Sequence, residues 1–212
     1  MASTEDTSGG AFISNCINKP IARWIVRLIV RFPITPNHIT FFGSIVGILS
    51  AYRYSQGDFV LGGILLYLNA IFDGVDGELA RRKNLKSQFG GILSTVLDRV
   101  VDSLVMMAMI LFNIGDLLFT FIALLAILGT FLHTFSTHLM GRVGLAHLAS
   151  KSIARRDVRL FIIFVTSVLA VLRIEVLQAG LALVTALTFA TLIHRMHLMR
   201  STLNTTTPSS QV

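Results

Sequence analysis

The 212-residue sequence has few charged residues and one cysteine. Charged side chains make up 14% of it and hydrophobic ones 53%, a far more apolar balance than that of a soluble domain. The single cysteine, Cys16, excludes a disulfide within the chain. No signal peptide is expected, because the first strongly apolar stretch follows a long basic segment and lacks a small-residue cleavage site. The composition therefore predicts a polytopic membrane protein.

Apolar runs of membrane-spanning length recur along the chain. We predict an all-α fold with six transmembrane helices, since a hydrocarbon core is about 30 Å thick and a helix needs about 20 apolar residues to cross it. The predicted spans are residues 36–54, 59–81, 89–114, 117–140, 158–172 and 176–194.

The sequence around the spans is polar or amphipathic. Residues 11–33 predict an amphipathic helix in the membrane interface, with basic residues on one side and Trp and aliphatic residues on the other. Residues 34–200 form the six-helix domain. The polar ends, residues 1–10 and 201–212, are expected to be disordered.

Lys and Arg are distributed unevenly between the connections. Of 18 such residues, 15 lie in the N-terminal segment, the second–third and fourth–fifth connections or the C-terminal end, and only Arg53 and Arg173 lie near the other connections. The positive-inside rule therefore predicts that both termini face the cytoplasm. The net charge of +7 does not indicate nucleic-acid binding, because it is dispersed over loops without a stripe of stacking aromatics.

Four aspartates interrupt the apolar sequence, Asp73 and Asp76 on the second span and Asp98 and Asp102 on the third. Each pair is spaced at three or four residues and so shares one helical face. Counted at about 1.5 Å per residue, both pairs lie at one depth, in the inner third of the membrane on the cytoplasmic side. Because ionised groups there are costly and usually functional, a divalent-metal site is expected, and an all-oxygen site suits Mg²⁺ or Mn²⁺.

Small and basic residues accompany these acids. The small residues, which would let a ligand approach the backbone, are Gly77, Ala80, Gly90 and Gly91. A basic segment at 81–86 could meet phosphate. Asn37 and Thr40 lie at the cytoplasmic end of the first span, near the acids, and helix capping explains Asn37 as well as ligand contact does. Metal-binding acids, small residues and cations are the parts of a phosphoryl-transfer site.

The spacing of these residues resembles a known signature. The run Asp73-x2-Asp76-Gly77-x2-Ala80-Arg81-x8-Gly90-x3-Ser94-x3-Asp98 is similar to the DxxDGxxAR-x8-GxxxDxxxD pattern of the CDP-alcohol phosphotransferase family, and seven of its eight positions match. Residues 13–20, 34–37 and 155–159 look most like the branch that includes di-inositol-phosphate-phosphate synthases and phosphatidylinositol-phosphate synthases.

The resemblance implies metal-dependent transfer of a substituted phosphoryl group to an alcohol, with release of CMP. The donor would be CDP-diacylglycerol, CDP-archaeol or CDP-inositol, and an inositol phosphate is one candidate acceptor. Expected partners are these substrates, the lipid bilayer and, as an open option, a second copy of the chain in a homodimer. Two alternatives remain: a catalytically weakened or inactive family member that binds CDP-alcohol and metal, and a cation transporter.

The resemblance also implies roles for the matched residues. Asp73, Asp76 and Asp98 would hold a two-metal site, with Asp98 also the general base. The residues expected to hold the nucleotide are Asn37, Thr40, Gly77, Ala80, Arg81 and Gly90. The residues expected to meet an acceptor phosphate are Arg142, Arg156 and Arg159, although topology determination explains these cations equally well.

Ser94 stands where the signature has its third Asp. A neutral hydroxyl is a weaker ligand for a hard cation than a carboxylate. Three explanations are open: a natural inactive homologue, a residue changed to trap a complex, or a shifted site in which Asp102 substitutes. Asp102 lies two turns beyond Ser94 on the same helical face, so full replacement is not expected.

Overall fold

The computed structural model describes residues 17–145 and 154–206, and the regular secondary structure within these ranges is helical. The helices are α1 (Lys19–Ile29), α2 (Pro36–Ser55), α3 (Phe59–Arg82), α4 (Gln88–Phe112), α5 (Leu117–Arg142), α6 (Arg156–Leu169) and α7 (Ile174–Thr206). The all-α prediction is confirmed. By length and apolar composition, three helices are able to cross a membrane: α3, α5 and the part of α7 up to Leu203.

Each predicted span corresponds to one helix, from α2 to α7. The largest difference is at the end of α7, which runs to Thr206, beyond the expected domain boundary at residue 200. Met199 explains part of this extension, since it is buried in an apolar cluster with Met140 and Leu145. Disorder is expected at residues 1–10 and 201–212; of these, residues 201–206 belong to α7, and residues 1–10 and 207–212 lie outside the described part of the chain.

Side chains fix the starts of four helices. The capping residues are Thr35, Asp58, Ser87 and Asp116, each of which accepts a hydrogen bond from a backbone N–H in the first turn of α2, α3, α4 or α5. Thr35 caps α2 together with a proline at the first helical position, so Asn37 lies inside the first turn and is not the cap. Ser87 Oγ accepts from Gly90 N at 3.0 Å, and this bond fixes the start of the acid-bearing helix α4.

The amphipathic helix α1 is shorter than the predicted segment 11–33, of which residues 11–16 lie outside the described part of the chain. Ala22 and Val26 on one face are buried against the apolar face of α3. Asn18, just before α1, accepts a hydrogen bond at 2.8 Å from the hydroxyl of Tyr67 on α3. Trp24 on the other face is exposed. These contacts hold α1 against α3, and its place in the membrane interface stays a prediction.

Helix α2 packs against both acid-bearing helices, α3 and α4. Small residues permit this close approach: Gly43 meets Phe72 of α3, and Gly47 meets Val101 of α4. On α3, Asn69 Nδ2 donates to Gly43 O at 2.9 Å. This packing sets the relative positions of the carboxylates on α3 and α4.

Replacing Gly47 by Ala should destabilise the fold, because the added Cβ would collide with the Val101 side chain. Overpacking of this kind costs about 1–3 kcal/mol. The measurement is the thermal unfolding midpoint in detergent, and the double variant Gly47→Ala/Val101→Ala should recover part of the loss. Gly141→Ala is the matched control, since no atom lies within 4 Å of its added Cβ. Equal midpoints for Gly47→Ala and this control would contradict the packing described.

Candidate active site

The acids of α3 and α4 face one another near the C-terminal end of α3. Ser94 Oγ on α4 donates a hydrogen bond to Asp73 Oδ1 on α3 at 3.2 Å. Asp76, one turn after Asp73, accepts a hydrogen bond from Thr40 Oγ1 of α2 at 2.5 Å. The structure therefore brings together residues that the sequence placed on three separate helices.

Arg156, the first residue of α6, lies among these carboxylates. Its Nη1 is 3.0 Å from Asp98 Oδ1 and 3.5 Å from Asp73 Oδ2, and its Nη2 is 3.2 Å from Asp102 Oδ1. Nη2 also donates to Asn69 Oδ1 at 2.9 Å. One guanidinium group thus makes ion pairs with three carboxylates from two helices.

Asp102 is the most buried of the four acids, with 4% of its surface exposed. Arg99 Nη2 lies 3.0 Å from Asp102 Oδ2, while Arg156 contacts the other carboxylate oxygen. Because both of its oxygens are bound by arginines, Asp102 acts as a structural partner of these cations. The arrangement argues against Asp102 as a substitute for the missing third signature Asp.

A cavity of about 380 Å³ opens between α2, α3 and α4. We call it the α2–α4 cavity. Its lining includes the acids Asp73 and Asp76 together with Ser94. The lining also includes each residue that the sequence predicts to hold the nucleotide: Asn37, Thr40, Gly77, Ala80, Arg81 and Gly90. Residues from three helices thus converge on one space beside the acids.

A second cavity, of about 430 Å³, lies between α1, α3, α5, α6 and α7. We call it the basic cavity, because its lining has more cations than acids. The cations are Lys19, Arg81, Arg155, Arg156 and Arg195, and the acids are Asp73, Glu78 and Asp157. Asp73, Gly77 and Arg81 line both cavities, so the two spaces are neighbours along this part of α3, and Asp73 is the acid that borders both.

The three arginines expected at an acceptor phosphate have different locations. Arg142, at the end of α5, is exposed and lines neither cavity. Arg159 is 4% exposed and donates from Nη1 to Thr130 Oγ1 at 2.8 Å, inside the helix bundle. Only Arg156 lines the basic cavity, with its guanidinium already paired to carboxylates. Helix α6 begins at Arg156, and Arg159 lies one turn later on the same face of that helix, deeper in the helix bundle.

Arg195 on α7 lines the basic cavity, and sequence reasoning missed it as a candidate site residue. Its Nη1 donates to His133 O, Ser136 Oγ and Thr137 Oγ1 of α5 at 3.0, 2.9 and 2.8 Å. The predicted last span ends at residue 194, so Arg195 falls among the basic residues that follow the span and indicate its orientation in the membrane. The available signal was its position within an apolar helix, where an ionisable residue is a functional candidate.

The chemistry of the donors fits a hard divalent ion, since carboxylate and hydroxyl oxygens suit Mg²⁺ and Mn²⁺. Few of these oxygen atoms, however, are available as ligands for a metal ion. Ser94 offers a neutral hydroxyl, and Asp98 is ion-paired to Arg156. Within residues 17–145 and 154–206, no three Asp, Glu, His or Cys side chains are grouped as metal ligands. Asp73 and Asp76 are the carboxylates left to hold an ion beside the α2–α4 cavity.

Comparisons with known proteins identify the family. The family model described as CDP-alcohol phosphatidyltransferase matches residues 33–199. The chain is 32% identical over 183 residues to archaetidylinositol phosphate synthase of Pyrococcus horikoshii, covering 85% of this chain and 91% of that protein. It is 36% identical over 130 residues to the bifunctional IPC transferase and DIPP synthase of Thermococcus kodakarensis, covering 61% of this chain but 30% of that protein.

A solved structure shares the fold. The phosphatidylinositol phosphate synthase of Mycobacterium tuberculosis with bound CDP-DAG superimposes with a TM-score of 0.67 and 21% identity, covering 87% of this chain and 94% of that one. The same enzyme has also been solved with manganese and citrate.

The chain is a member of a family of membrane transferases that act on CDP-alcohols. It belongs to the CDP-alcohol phosphatidyltransferase family, and its relatives are those of the branch predicted from the sequence.

Replacing Arg156 by Ala should strongly destabilise the protein, because three carboxylates would lose their shared cation. Breaking a buried ion pair costs about 3–5 kcal/mol. Arg155→Ala is the matched control, since the neighbouring side chain is more exposed and, among the described residues, its ion pair is with Asp157, at 3.4 Å. Chemical or thermal unfolding in detergent measures both variants. Equal stability of the two would contradict the central position given to Arg156.

Proposed function

We propose that the protein transfers a substituted phosphoryl group from a CDP-alcohol to a hydroxyl of a phosphorylated polyol such as an inositol phosphate, with release of CMP. The observation that carries this proposal is that Asp73 lines both the α2–α4 cavity and the basic cavity. A donor in one cavity and an acceptor in the other would have their reacting groups side by side. The names of the archaeal relatives support the inositol-phosphate class of acceptor.

The α2–α4 cavity suits the cytidine diphosphate part of the donor. At Gly90, a Cβ would lie 2.9 Å from Ser87 Oγ and 3.2 Å from Asn37 Oδ1, so a side chain there would crowd the cavity wall. Arg81 is paired with Glu78 at 3.0 Å, but its side chain is half exposed and can turn toward a diphosphate. The diphosphate would thus meet a cation at the edge of the cavity and the acids at its base.

The basic cavity suits a phosphorylated polyol. Lys19, Arg155 and Arg195 supply the positive charge for its phosphate. The carboxylates of Glu78 and Asp157 are acceptors for its hydroxyl groups. A cavity lined by both kinds of group favours a ligand with one anionic group and several hydroxyls over a plain anion.

The reaction balances as a displacement at phosphorus. The acceptor oxygen forms a bond to the alcohol-bearing phosphorus, the bond from that phosphorus to the bridging oxygen breaks, and CMP leaves with the bridging oxygen. Asp98 takes the proton of the acceptor hydroxyl, and Arg156 holds Asp98 in place beside Asp73. Mg²⁺ or Mn²⁺ held by Asp73 and Asp76 would supply neutralisation of the diphosphate charge.

A membrane location accounts for the position of the carboxylates within apolar helices. We infer that α2–α7 cross the membrane, that α1 lies in the interface, and that both termini and the two cavities face the cytoplasm, where soluble CMP and acceptor exchange. The alternative is a family member that binds CDP-alcohol without efficient turnover, which the neutral Ser94 beside Asp73 favours. Measuring CMP release separates the two.

Binding of a cytidine nucleotide should require a divalent cation, because the acids alone repel a diphosphate. CDP should raise the thermal unfolding midpoint with Mn²⁺ present and not with EDTA, and Asp73→Asn or Asp76→Asn should remove the metal-dependent part. The activity assay follows CMP released from CDP-diacylglycerol, CDP-archaeol or CDP-inositol in the presence of inositol phosphate. Stabilisation by CDP that EDTA leaves unchanged would contradict the proposed nucleotide site.

Arg195→Ala should raise the KM for a phosphorylated acceptor at least tenfold and leave the KM for the CDP-alcohol within about twofold, since loss of a charge-assisted hydrogen bond costs about 1.5–3 kcal/mol. Arg142→Ala is the control, because Arg142 lines neither cavity. Steady-state CMP release with each substrate varied in turn gives both constants. A rise of equal size for donor and acceptor would remove Arg195 from the acceptor site.

A further inference from the structure

The cations around the acids of α3 and α4 are arginines in direct contact with them. Arg156 contacts Asp73, Asp98 and Asp102, and Arg99 contacts Asp102. Arg159 lies further along α6, and its Nη1 is bound to the Thr130 hydroxyl. The acids therefore already have a positive partner supplied by the chain itself.

The charges in contact can be counted. Asp73, Asp76, Asp98 and Asp102 carry four negative charges, and the two contacting arginines carry two positive charges. The remainder of two negative charges matches one divalent cation. A second divalent cation would leave an excess of positive charge among the acids before any substrate binds, which is unfavourable in an apolar region.

The positions of the metal-binding side chains also indicate one divalent cation. Asp73 and Asp76 line the α2–α4 cavity, and Arg156 Nη1 lies 3.5 Å from Asp73 Oδ2, whereas Asp98, which the family signature assigns to the metals, has Arg156 Nη1 at the shorter distance of 3.0 Å. Ser94, in the position of the third signature Asp, supplies no charge and donates a hydrogen bond to Asp73. Oxygen ligands for one metal ion are therefore present, whereas the ligands for a second ion are either replaced by Ser94 or paired with Arg156.

We propose that this site binds one divalent cation and that the guanidinium of Arg156 takes the place of the second. The proposal rests on the transferase function proposed above and specifies how its charge is balanced. A guanidinium cannot leave the site on dilution or chelation, so only one ion should be exchangeable. The neutral Ser94 at the position of the third signature Asp and the pairing of Arg156 with Asp98 then have the same effect, since each removes a ligand for a second metal ion.

The test is a Mn²⁺ titration of the purified protein in nanodiscs without nucleotide, followed by electron paramagnetic resonance. The wild type should bind one Mn²⁺ per chain, with no spin-coupled signal from a neighbouring ion. The double variant Ser94→Asp/Arg156→Gln should bind two spin-coupled Mn²⁺ ions. Arg155→Gln is the control and should bind one. Two coupled ions in the wild type, or one in the double variant, would overturn the proposal.

A further variant keeps the test decisive if the double variant does not fold. Ser94→Asp alone retains Arg156, so it should bind its single Mn²⁺ at least threefold more tightly and still show no coupled signal. Two coupled ions in Ser94→Asp would show that Arg156 does not fill the second position.

Activity separates this proposal from the transferase function. Two ions together with CMP release would reject the single-cation site and leave the transferase intact. One ion without CMP release from any donor and acceptor would keep the single-cation site and reject the transferase.

Discussion

The ion pairs of Arg156 are the interaction on which the rest of the site depends. Carboxylates within apolar helices are tolerated only when cations or hydrogen-bond donors offset their charge. Arg156 does this for Asp73 on α3 and for Asp98 and Asp102 on α4, and so it fixes the distance between two helices that each carry half of the signature. Arg156 is the first residue of α6, so its ion pairs also hold the N-terminal end of α6 next to α3 and α4.

The two cavities follow from this arrangement. Helix α2 brings Thr40 to Asp76 and closes one side, while α1 and α7 bring Lys19 and Arg195 to the other. Asp73 borders both cavities, is half exposed, and is therefore the acid best placed to act on ligands in both spaces. Family membership and the archaeal relatives agree with transfer of a group between two bound substrates, and neither requires a path across the membrane.

Local patterns in the sequence predicted most of the helices and the grouping of residues that line the α2–α4 cavity. Apolar runs and capping residues such as Ser87 act over a few residues, so the bounds of α2–α6 were predicted to within three residues. The signature spacing placed Gly77 and Gly90 at one cavity for the same reason. The lining of the basic cavity was not predictable in this way, because it depends on packing between distant helices. Whether Arg159 points inward and Arg195 reaches α5 is decided by the angles of α6 and α7.

Phosphorus NMR of the wild-type protein, incubated with a CDP-alcohol, inositol phosphate and Mn²⁺, distinguishes transfer to an alcohol from hydrolysis of the donor; the Mn²⁺ is removed before the spectra are recorded. We expect the two diphosphate signals to decline together while a CMP signal and a new phosphodiester signal appear in equal amounts. CMP appearing with an equal amount of the free alcohol phosphate would mean that water, not an alcohol bound in the basic cavity, attacks the donor. No loss of diphosphate under any combination of these substrates would contradict the account of the site as a transferase.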